Sequence, residues 1–407
     1  MPTVGPSVRR PGPSPPVCPE AVYRRKVLSD DLPLSRSGVD RDGLSRVRDD
    51  LVEELLQRGS TRILHLVGGD VLTAGDAALF LTAPVGTEEY EATQYDGTER
   101  GATEYDDSVH DGTEHEATEH HRTAQQRSGT VQAPATPATG TTEVASTPPT
   151  PVPTTPVAPD DLVVYLGRDA HRAYLAQIHP EATGVIEWAD DISRRTDDPQ
   201  GVPGARRSHL RDVGWNLSAR DAGLATEAVA LANWHLTHRF CPRCGSPTTV
   251  IEAGWVRRCP DDGSDHFPRT DPAVIMAITD DDDRLLLAHG AAWPPTRFSV
   301  PAGFVEPGES LEAAVRREVG EETGVQVGEV TYEASQPWPF PASLMVGMSG
   351  RALSTDVRPD GVEVTEAMFL TRAELTRAVT DGEVVLPRAT SIAHHLIAQW
   401  YGGPLPT

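Results

Sequence analysis

The stretch from Gly303 to Val325, G-F-V-E-P-G-E-S-L-E-A-A-V-R-R-E-V-G-E-E-T-G-V, constrains the fold of this chain more than any other. Ser310 can cap a helix there and Gly324 can end it. On that helix Leu311 and Val315 lie on one stripe, with Ala314 beside them, and the stripe runs on to Glu318 and Glu322. A core-facing stripe thus turns acidic in its last turns, with Glu321 one step to the side. Clustered carboxylates near a packed face repel one another and are costly to desolvate. A hard cation removes both difficulties. Mg²⁺ takes carboxylate oxygens while keeping several waters, which suits it to a diphosphate. The alternative is an acidic, solvated helix surface, which does not require the apolar residues that begin the stripe.

The chain has 407 residues, enough for two or three domains. Its 36 basic and 60 acidic residues leave a formal net charge of −24, the opposite of the balance in a nonspecific nucleic-acid or membrane-surface binder. Lys26 is the only lysine. The apolar run Ala273 to Ile278 is far shorter than a membrane span. The Pro-rich N-terminus has no apolar signal segment, and four cysteines do not make a disulfide scaffold. A cytoplasmic protein is expected.

Composition divides the chain. Residues 1–19 are Pro-rich and read as a disordered tail. An N-terminal domain is expected over 20–235, interrupted at 86–159 by a low-complexity insertion of G-T-E-x-x-A-T-E-like repeats and a Thr/Pro/Ala-rich run. His115, His120 and His121 inside it read as part of a solvated linker rather than a metal site. Helical patterns cover Leu44 to Leu56, Ala222 to His235 and Ser391 to Tyr401. Strand-like runs cover Ile63 to Val67, Ala77 to Leu81, Leu162 to Gly167, Tyr174 to Ile178, Ala273 to Thr279 and Arg284 to His289. Asp280 to Asp283 reads as a hairpin tip, because four adjacent residues do not converge on one ion.

Residues 236–270 carry a cysteine cluster. Cys241-Pro-Arg-Cys244 is half of a zinc knuckle, and Cys259 follows. A four-cysteine ribbon would put its last ligand at position 262, which is Asp262. Zinc takes histidine more readily than aspartate, so Cys241, Cys244, Cys259 and His266 is the favoured set and Asp262 the alternative. A ribbon that folds without metal is a further alternative. A redox role lacks the surrounding βαβ pattern.

The stretch at 303–325 also fits G-x5-E-x7-R-E-U-x-E-E-x-G-U, where U is bulky and aliphatic, at Gly303, Glu309, Arg317, Glu318, Val319, Glu321, Glu322, Gly324 and Val325. That pattern is the Nudix box, so the chain resembles the Nudix hydrolases. Ser335 to Met345, S-Q-P-W-P-F-P-A-S-L-M, resembles an element of the NADH pyrophosphatase family within them. Three prolines preset such a loop, and its aromatics suit a flat ring, although a loop used for packing alone has the same composition. The resemblance covers about residues 20–85 and 160–400 and implies an α/β (α+β) chain. Its C-terminal domain, 271–407, would be a Nudix α/β/α sandwich with a mixed sheet, preceded by a small zinc ribbon and an N-terminal α+β domain.

The resemblance also implies roles. Glu318, Glu321 and Glu322 match the catalytic Mg²⁺ or Mn²⁺ ligands, and Glu363 a further ligand outside the box, with Glu366 close enough to be confused with it. Phe304 matches an aromatic that stacks on substrate, and Phe267 stands where the family commonly has Tyr. Gln336, Pro337, Trp338, Pro339, Phe340, Pro341, Ala342 and Ser343 would line the pocket, and Ala393 matches a backbone contact. Zn²⁺ would be structural, and the pocket shared across a homodimer. Arg317 is expected to orient the glutamates rather than to touch substrate. The implied reaction splits the diphosphate of NADH or NAD⁺ into AMP and nicotinamide mononucleotide, and the same chemistry would remove an NAD cap from an RNA 5′ end. The alternatives are another dinucleotide such as ADP-ribose, or a noncatalytic dinucleotide sensor.

Overall fold

The computed structural model describes residues 32–75, 77–84, 154–155, 162–179 and 205–407. The expected tail, and all of the expected insertion except Thr154 and Thr155, lie outside the described residues. Among the described residues no helix is long and apolar enough to cross a membrane.

The N-terminal half is built on one sheet. Its strands are β1 (Thr61–Val67), β2 (Asp70–Ala74), β3 (Ala78–Leu79), β4 (Leu81–Pro84), β5 (Thr154–Thr155), β6 (Leu162–Arg168), β7 (Ala173–His179) and β8 (Ala205–Ser208). Strand β1 pairs in parallel with β7 along its whole length, and β6 and β7 form an antiparallel pair. Strand β1 is buried at every position, so the run T-R-I-L-H-L-V reads as one covered on both faces. The helical pattern expected over 44–56 breaks in two, a 3₁₀ turn at Gly43–Val47 and a short helix α1 (Leu51–Leu56). The physical reason is burial. Leu44 is 92% exposed and Val47 65%, whereas Leu51 and Leu55 pack against Ile63 and Leu175.

Two helices follow, α2 (Leu210–Val213) and α3 (Ala219–Thr237). Ser218 caps α3 by accepting from the Asp221 N–H. Its small residues Ala222, Ala225, Ala228 and Ala232 are buried in one cluster with Leu64, Leu66 and Leu166, and Gly223 is buried as well. A side chain at Gly223 would stand 2.9 Å from the Arg36 carbonyl oxygen, so the small residues let the chain cross close by. The ribbon strands β9 (Thr249–Ile251), β10 (Val256–Arg258) and β11 (Asp265–His266) form a separate antiparallel sheet.

The C-terminal half is the expected mixed-sheet sandwich. Strands β12 (Asp271–Thr279), β13 (Leu285–Gly290), β14 (Ala302–Phe304), β15 (Val327–Trp338), β16 (Ser343–Ala352) and β17 (Val364–Leu370) run in the order β15-β16-β12-β13-β17, with β14 paired to β12. Only the central β12–β16 pair is parallel. Helix α4 (Leu311–Thr323) covers one face, while α5 (Arg372–Thr380) and α6 (Ile392–Tyr401) cover the other. The apolar run of β12 follows from this. Val274, Met276 and Ile278 face α4, and Ile275 and Ala277 face α6, as the two-residue period of a strand requires.

A tight contact joins the ribbon to the N-terminal sheet. Gly254, at φ +95°, lies against Val164, and a Cβ there would stand 2.3 Å from a Val164 methyl. Its carbonyl accepts from His235 Nε2 at 2.8 Å, and His235 Nδ1 accepts from Arg257 at 3.0 Å. Both ring nitrogens are used by the neutral imidazole, and burial lowers the His235 pKa to about 4. Gly254→Ala is therefore expected to destabilise the protein by about 2–4 kcal/mol, through overpacking and a left-handed backbone. A melting temperature within a degree of the unsubstituted protein would contradict this contact.

Candidate active site

Ser310 caps α4 by accepting from the Ala313 N–H at 3.2 Å, and Gly324 ends it in the left-handed region. Val315 and Val319 sit in the core, and Glu322 on the same helix is only 8% exposed. Arg317 gathers the acidic end. Its Nε and Nη2 donate to the two oxygens of Glu309 at 2.9 and 2.8 Å, and Nη1 lies 2.9 Å from Glu318 and 3.1 Å from Glu321. Nη2 also donates to the Phe304 carbonyl at 2.9 Å. The expected orienting role of Arg317 matches this geometry. The bidentate bond to Glu309, ahead of its other partners, holds the guanidinium pKa above its usual value. Gly303 lies under Glu318, where a Cβ would stand 2.0 Å from the carboxyl carbon, so any larger residue would push that carboxylate aside.

Glu318, Glu321, Glu322 and Glu363 line one cavity of about 680 Å³ together with Phe304, which is 58% exposed, and Ser343. Burial first, and then the charges of Glu318, Glu363, Asp360 and Glu321, push Glu322 up to about 8. Burial likewise raises Glu318 against the pull of Arg317. Crowded carboxylates that resist ionisation are a donor set suited to a hard divalent cation. Glu366 lines a different cavity, so Glu363 is the glutamate of that loop that meets the box. Asp360 belongs to none of the sequence motifs but acts on Glu322. Its side chain accepts from the N–H groups of Val362, Glu363 and Val364 at 2.9 to 3.1 Å and so shapes the loop carrying Glu363. The Asp360-Gly361 pair was the available signal, as a turn dipeptide.

A second cavity, of about 700 Å³, shares Ala302, Glu322, Met345 and Glu363 with the first. Trp338, Trp293 and Ala393 line it, as do Arg211 and His209 from the N-terminal half. The S-Q-P-W-P-F-P-A-S segment is less uniform than expected. Trp338 and Ser343 reach the two cavities, but Gln336 does not. Gln336 is wholly buried, donates to the Thr390 carbonyl at 2.9 Å and accepts from the Ile392 N–H at 2.8 Å, so it ties the strand to the start of α6. Phe340 packs on His209, with ring centroids 5.0 Å apart, and beneath Arg211 at 4.4 Å. Asn233 of α3 donates to the Pro339 carbonyl at 2.7 Å, and the Ala342 carbonyl accepts from Asp271 at 2.8 Å. Pro337, Pro339, Phe340, Pro341 and Ala342 line neither cavity. Phe267 lines neither and is 65% exposed.

The ribbon has two knuckles of one design. Gly245 N–H donates to the Cys241 carbonyl at 2.9 Å, and Gly263 N–H to the Cys259 carbonyl at 3.0 Å. The third residue after each cysteine is Cys244 in one knuckle and Asp262 in the other. Cys241, Cys244, Cys259 and Asp262 place four ligand atoms within 4.8 Å of one another. The separations Cys244–Cys259 and Cys241–Asp262, 3.4 and 3.6 Å, are near the edge of about 3.8 Å expected for a tetrahedral zinc–thiolate site. The favoured His266 stands outside that four-atom set. His266 lies past the turn on β11, where its Nε2 meets Ser264 Oγ at 3.2 Å and its ring also reaches the Cys241 thiol, while the turn itself presents Asp262 to the cluster.

Two outcomes are expected. Asp262→Ala should reduce zinc content, measured by plasma emission on purified protein, well below that of His266→Ala; a larger loss in the histidine variant would reverse the assignment. Glu322→Gln should melt higher than the parent chain in EDTA at pH 8–9. A carboxylate whose folded pKa is raised destabilises the ionised state, so its cost grows as pH rises from the unfolded value near 4.5 through about 8. The gain should be on the order of 3 kcal/mol above pH 8 and vanish near pH 4. A gain independent of pH would contradict the burial of this charge.

The Nudix domain profile matches residues 269–389, and the NADH pyrophosphatase zinc ribbon profile matches residues 236–267. The chain is 44% identical over 223 residues to the NAD-capped RNA hydrolase NudC of Mycobacterium bovis, covering 52% of this chain and 71% of that protein. It is 41% identical over 196 residues to human NAD-capped RNA hydrolase NUDT12, covering 45% of this chain and 42% of the human protein. The chain thus spans less than half the length of the human relative. A solved Nudix hydrolase from Nitrosomonas europaea is 21% identical, with a TM-score of 0.34, over 42% of this chain and 96% of its own. Together the acidic helix, the ribbon and the likeness to the Mycobacterium bovis protein establish that the chain belongs to the Nudix family, in the branch that joins a Nudix domain to an NADH pyrophosphatase zinc ribbon.

Proposed function

We propose that the protein hydrolyses the diphosphate of NADH or NAD⁺, giving AMP and nicotinamide mononucleotide, and that the same chemistry removes NAD caps from RNA 5′ ends. The observation that carries this reading is the junction of two cavities at Glu322 and Glu363. One is lined by carboxylates and the other by Trp293 and Trp338. A linked dinucleotide needs both, an anhydride seat and a surface for a planar ring. The relatives are named NAD-capped RNA hydrolases, which supports the same substrate class.

Glu318, Glu322 and Glu363, with Glu321 beside them, are the residues that would hold Mg²⁺ or Mn²⁺. Such a cation, when bound, neutralises the diphosphate and lowers the pKa of water. The protein supplies the rest. Arg317 fixes Glu318 and Glu321 in place, and Gly303 leaves room for the Glu318 carboxylate. The proton of the attacking water passes to a carboxylate of this set, Glu321 or Glu322. Phe304 is exposed at the acidic cavity and would stack on substrate. The Cys241, Cys244, Cys259 and Asp262 set would hold a structural Zn²⁺. A homodimer and a cytoplasmic setting belong to the same proposal and rest on the family likeness. Exposed Phe267 is a residue that a second subunit would cover.

The test is product analysis with NADH and Mn²⁺. AMP plus the reduced mononucleotide is expected. Glu322→Gln should lower turnover at least a hundredfold, about 3 kcal/mol of transition-state stabilisation, while leaving the fold intact. Free nicotinamide as product, or rapid cleavage of a nucleoside triphosphate beside inert NADH, would overturn the reading.

A further inference from the structure

Three guanidiniums line the ring-lined cavity, those of Arg211, Arg297 and Arg388. Arg388 is paired with Asp212. Arg211 and Arg297 have no carboxylate partner among the described residues, although the chain carries 60 acidic residues against 36 basic ones. Each lies instead against an aromatic ring, Arg211 at 4.4 Å from Phe340 and Arg297 at 5.6 Å from Trp293. Both line the same cavity. Burial first, and then the charge of Arg297, hold the Arg211 pKa below its ordinary value. Neighbouring like charges left unpaired are an electrostatic cost that a bound anion removes.

The backbone beneath Arg297 is hydrogen-bonded on both sides. Its N–H donates to the Pro294 carbonyl at 2.9 Å, and its carbonyl accepts from His289 Nδ1 at 2.8 Å. On either side the chain is tied to Val385, through Val385 N–H to the Thr296 carbonyl at 2.7 Å and Phe298 N–H to the Val385 carbonyl at 3.1 Å. A side chain that only solvates a loop does not need such a base, whereas a preorganised charge gains affinity from it. Neither Arg211 nor Arg297 lines the acidic cavity, where the diphosphate and its cation would sit.

Building on the hydrolase reading above, we propose that Arg297, with Arg211 beside it, forms a subsite for a third phosphate, one that the substrate carries outside its diphosphate. The shared chemistry is a ribose-linked phosphate, which a guanidinium grips through paired N–H donors. Two sources supply it: the 2′-phosphate of NADPH, or the first phosphodiester of an RNA that follows an NAD cap.

The experiment compares kcat/KM for NADH, NADPH and a short NAD-capped RNA in the unsubstituted protein, in Arg297→Ala and in Arg297→Lys. Arg297→Ala is expected to lower the value for a phosphate-bearing substrate about tenfold more than for NADH. The lysine variant should recover most of that loss, and the alanine variant should weaken the salt dependence for the affected substrate. A selective loss with NADPH identifies the 2′-phosphate, and one with RNA identifies the phosphodiester. An equal change for all three substrates, or no change, overturns the subsite and leaves Arg297 a packing residue. Calorimetric binding of the same three ligands to Glu322→Gln, with and without Arg297→Ala, repeats the comparison without turnover. Failure of the unsubstituted protein to cleave NADH would refute the hydrolase reading, while the binding ratios would still decide the subsite.

Discussion

Arg317 is the interaction on which the acidic site depends. One guanidinium reaches Glu309 in the loop before helix α4, Glu318 and Glu321 on the helix, and the carbonyl of Phe304 on the strand beneath. Without it, carboxylates packed at a core edge would repel one another and turn outward, at a cost that one-sided desolvation makes steep. With it, three structural elements share a single rigid planar cation, and the carboxyl groups it does not reach, Glu322 and Glu363, line the cavity. The stability that burial of Glu322 removes is the counterpart of a site ready for a divalent cation.

The sheet makes that arrangement possible. Because β12 is covered on both faces, α4 is pressed against one side by Val315 and Val319, while α6 is pressed against the other by Ile392 and Leu396. The edge of this sandwich is where β14, α4 and the Glu363 loop converge. Gly303 is needed there because the strand passes directly beneath the Glu318 carboxylate.

The N-terminal half contributes chemistry as well as bulk. Leu32 enters the core of the C-terminal sandwich, and Ser35 donates to the Ser335 carbonyl at 2.8 Å. Asn233 fastens the proline-rich loop, and Arg211 and His209 reach the cavity that the sandwich leaves open. The ring-lined cavity is therefore made by residues more than a hundred positions apart, and its charges come from both halves.

Local patterns determined much of this. The capped helix at 311–323, its acidic stripe, the pairing role of Arg317, the strand at 273–279 and the first knuckle are readable because each depends on spacing within a few turns or residues. The choice between Asp262 and His266 was open in the sequence, since donor chemistry favours histidine, whereas the repeat of the knuckle's backbone turn brings Asp262 in among the three thiols and sets His266 beside Cys241. Gln336 shows the same limit. Its place in an aromatic, proline-rich segment pointed to a pocket, but burial against Thr390 and Ile392 made it a tether. The exposure of Leu44, the loop set by Asp360 and the facing of Arg211 and Arg297 were likewise decided by tertiary structure. Periodicity records which residues share a face, whereas which distant surface covers that face is settled only when the chain packs.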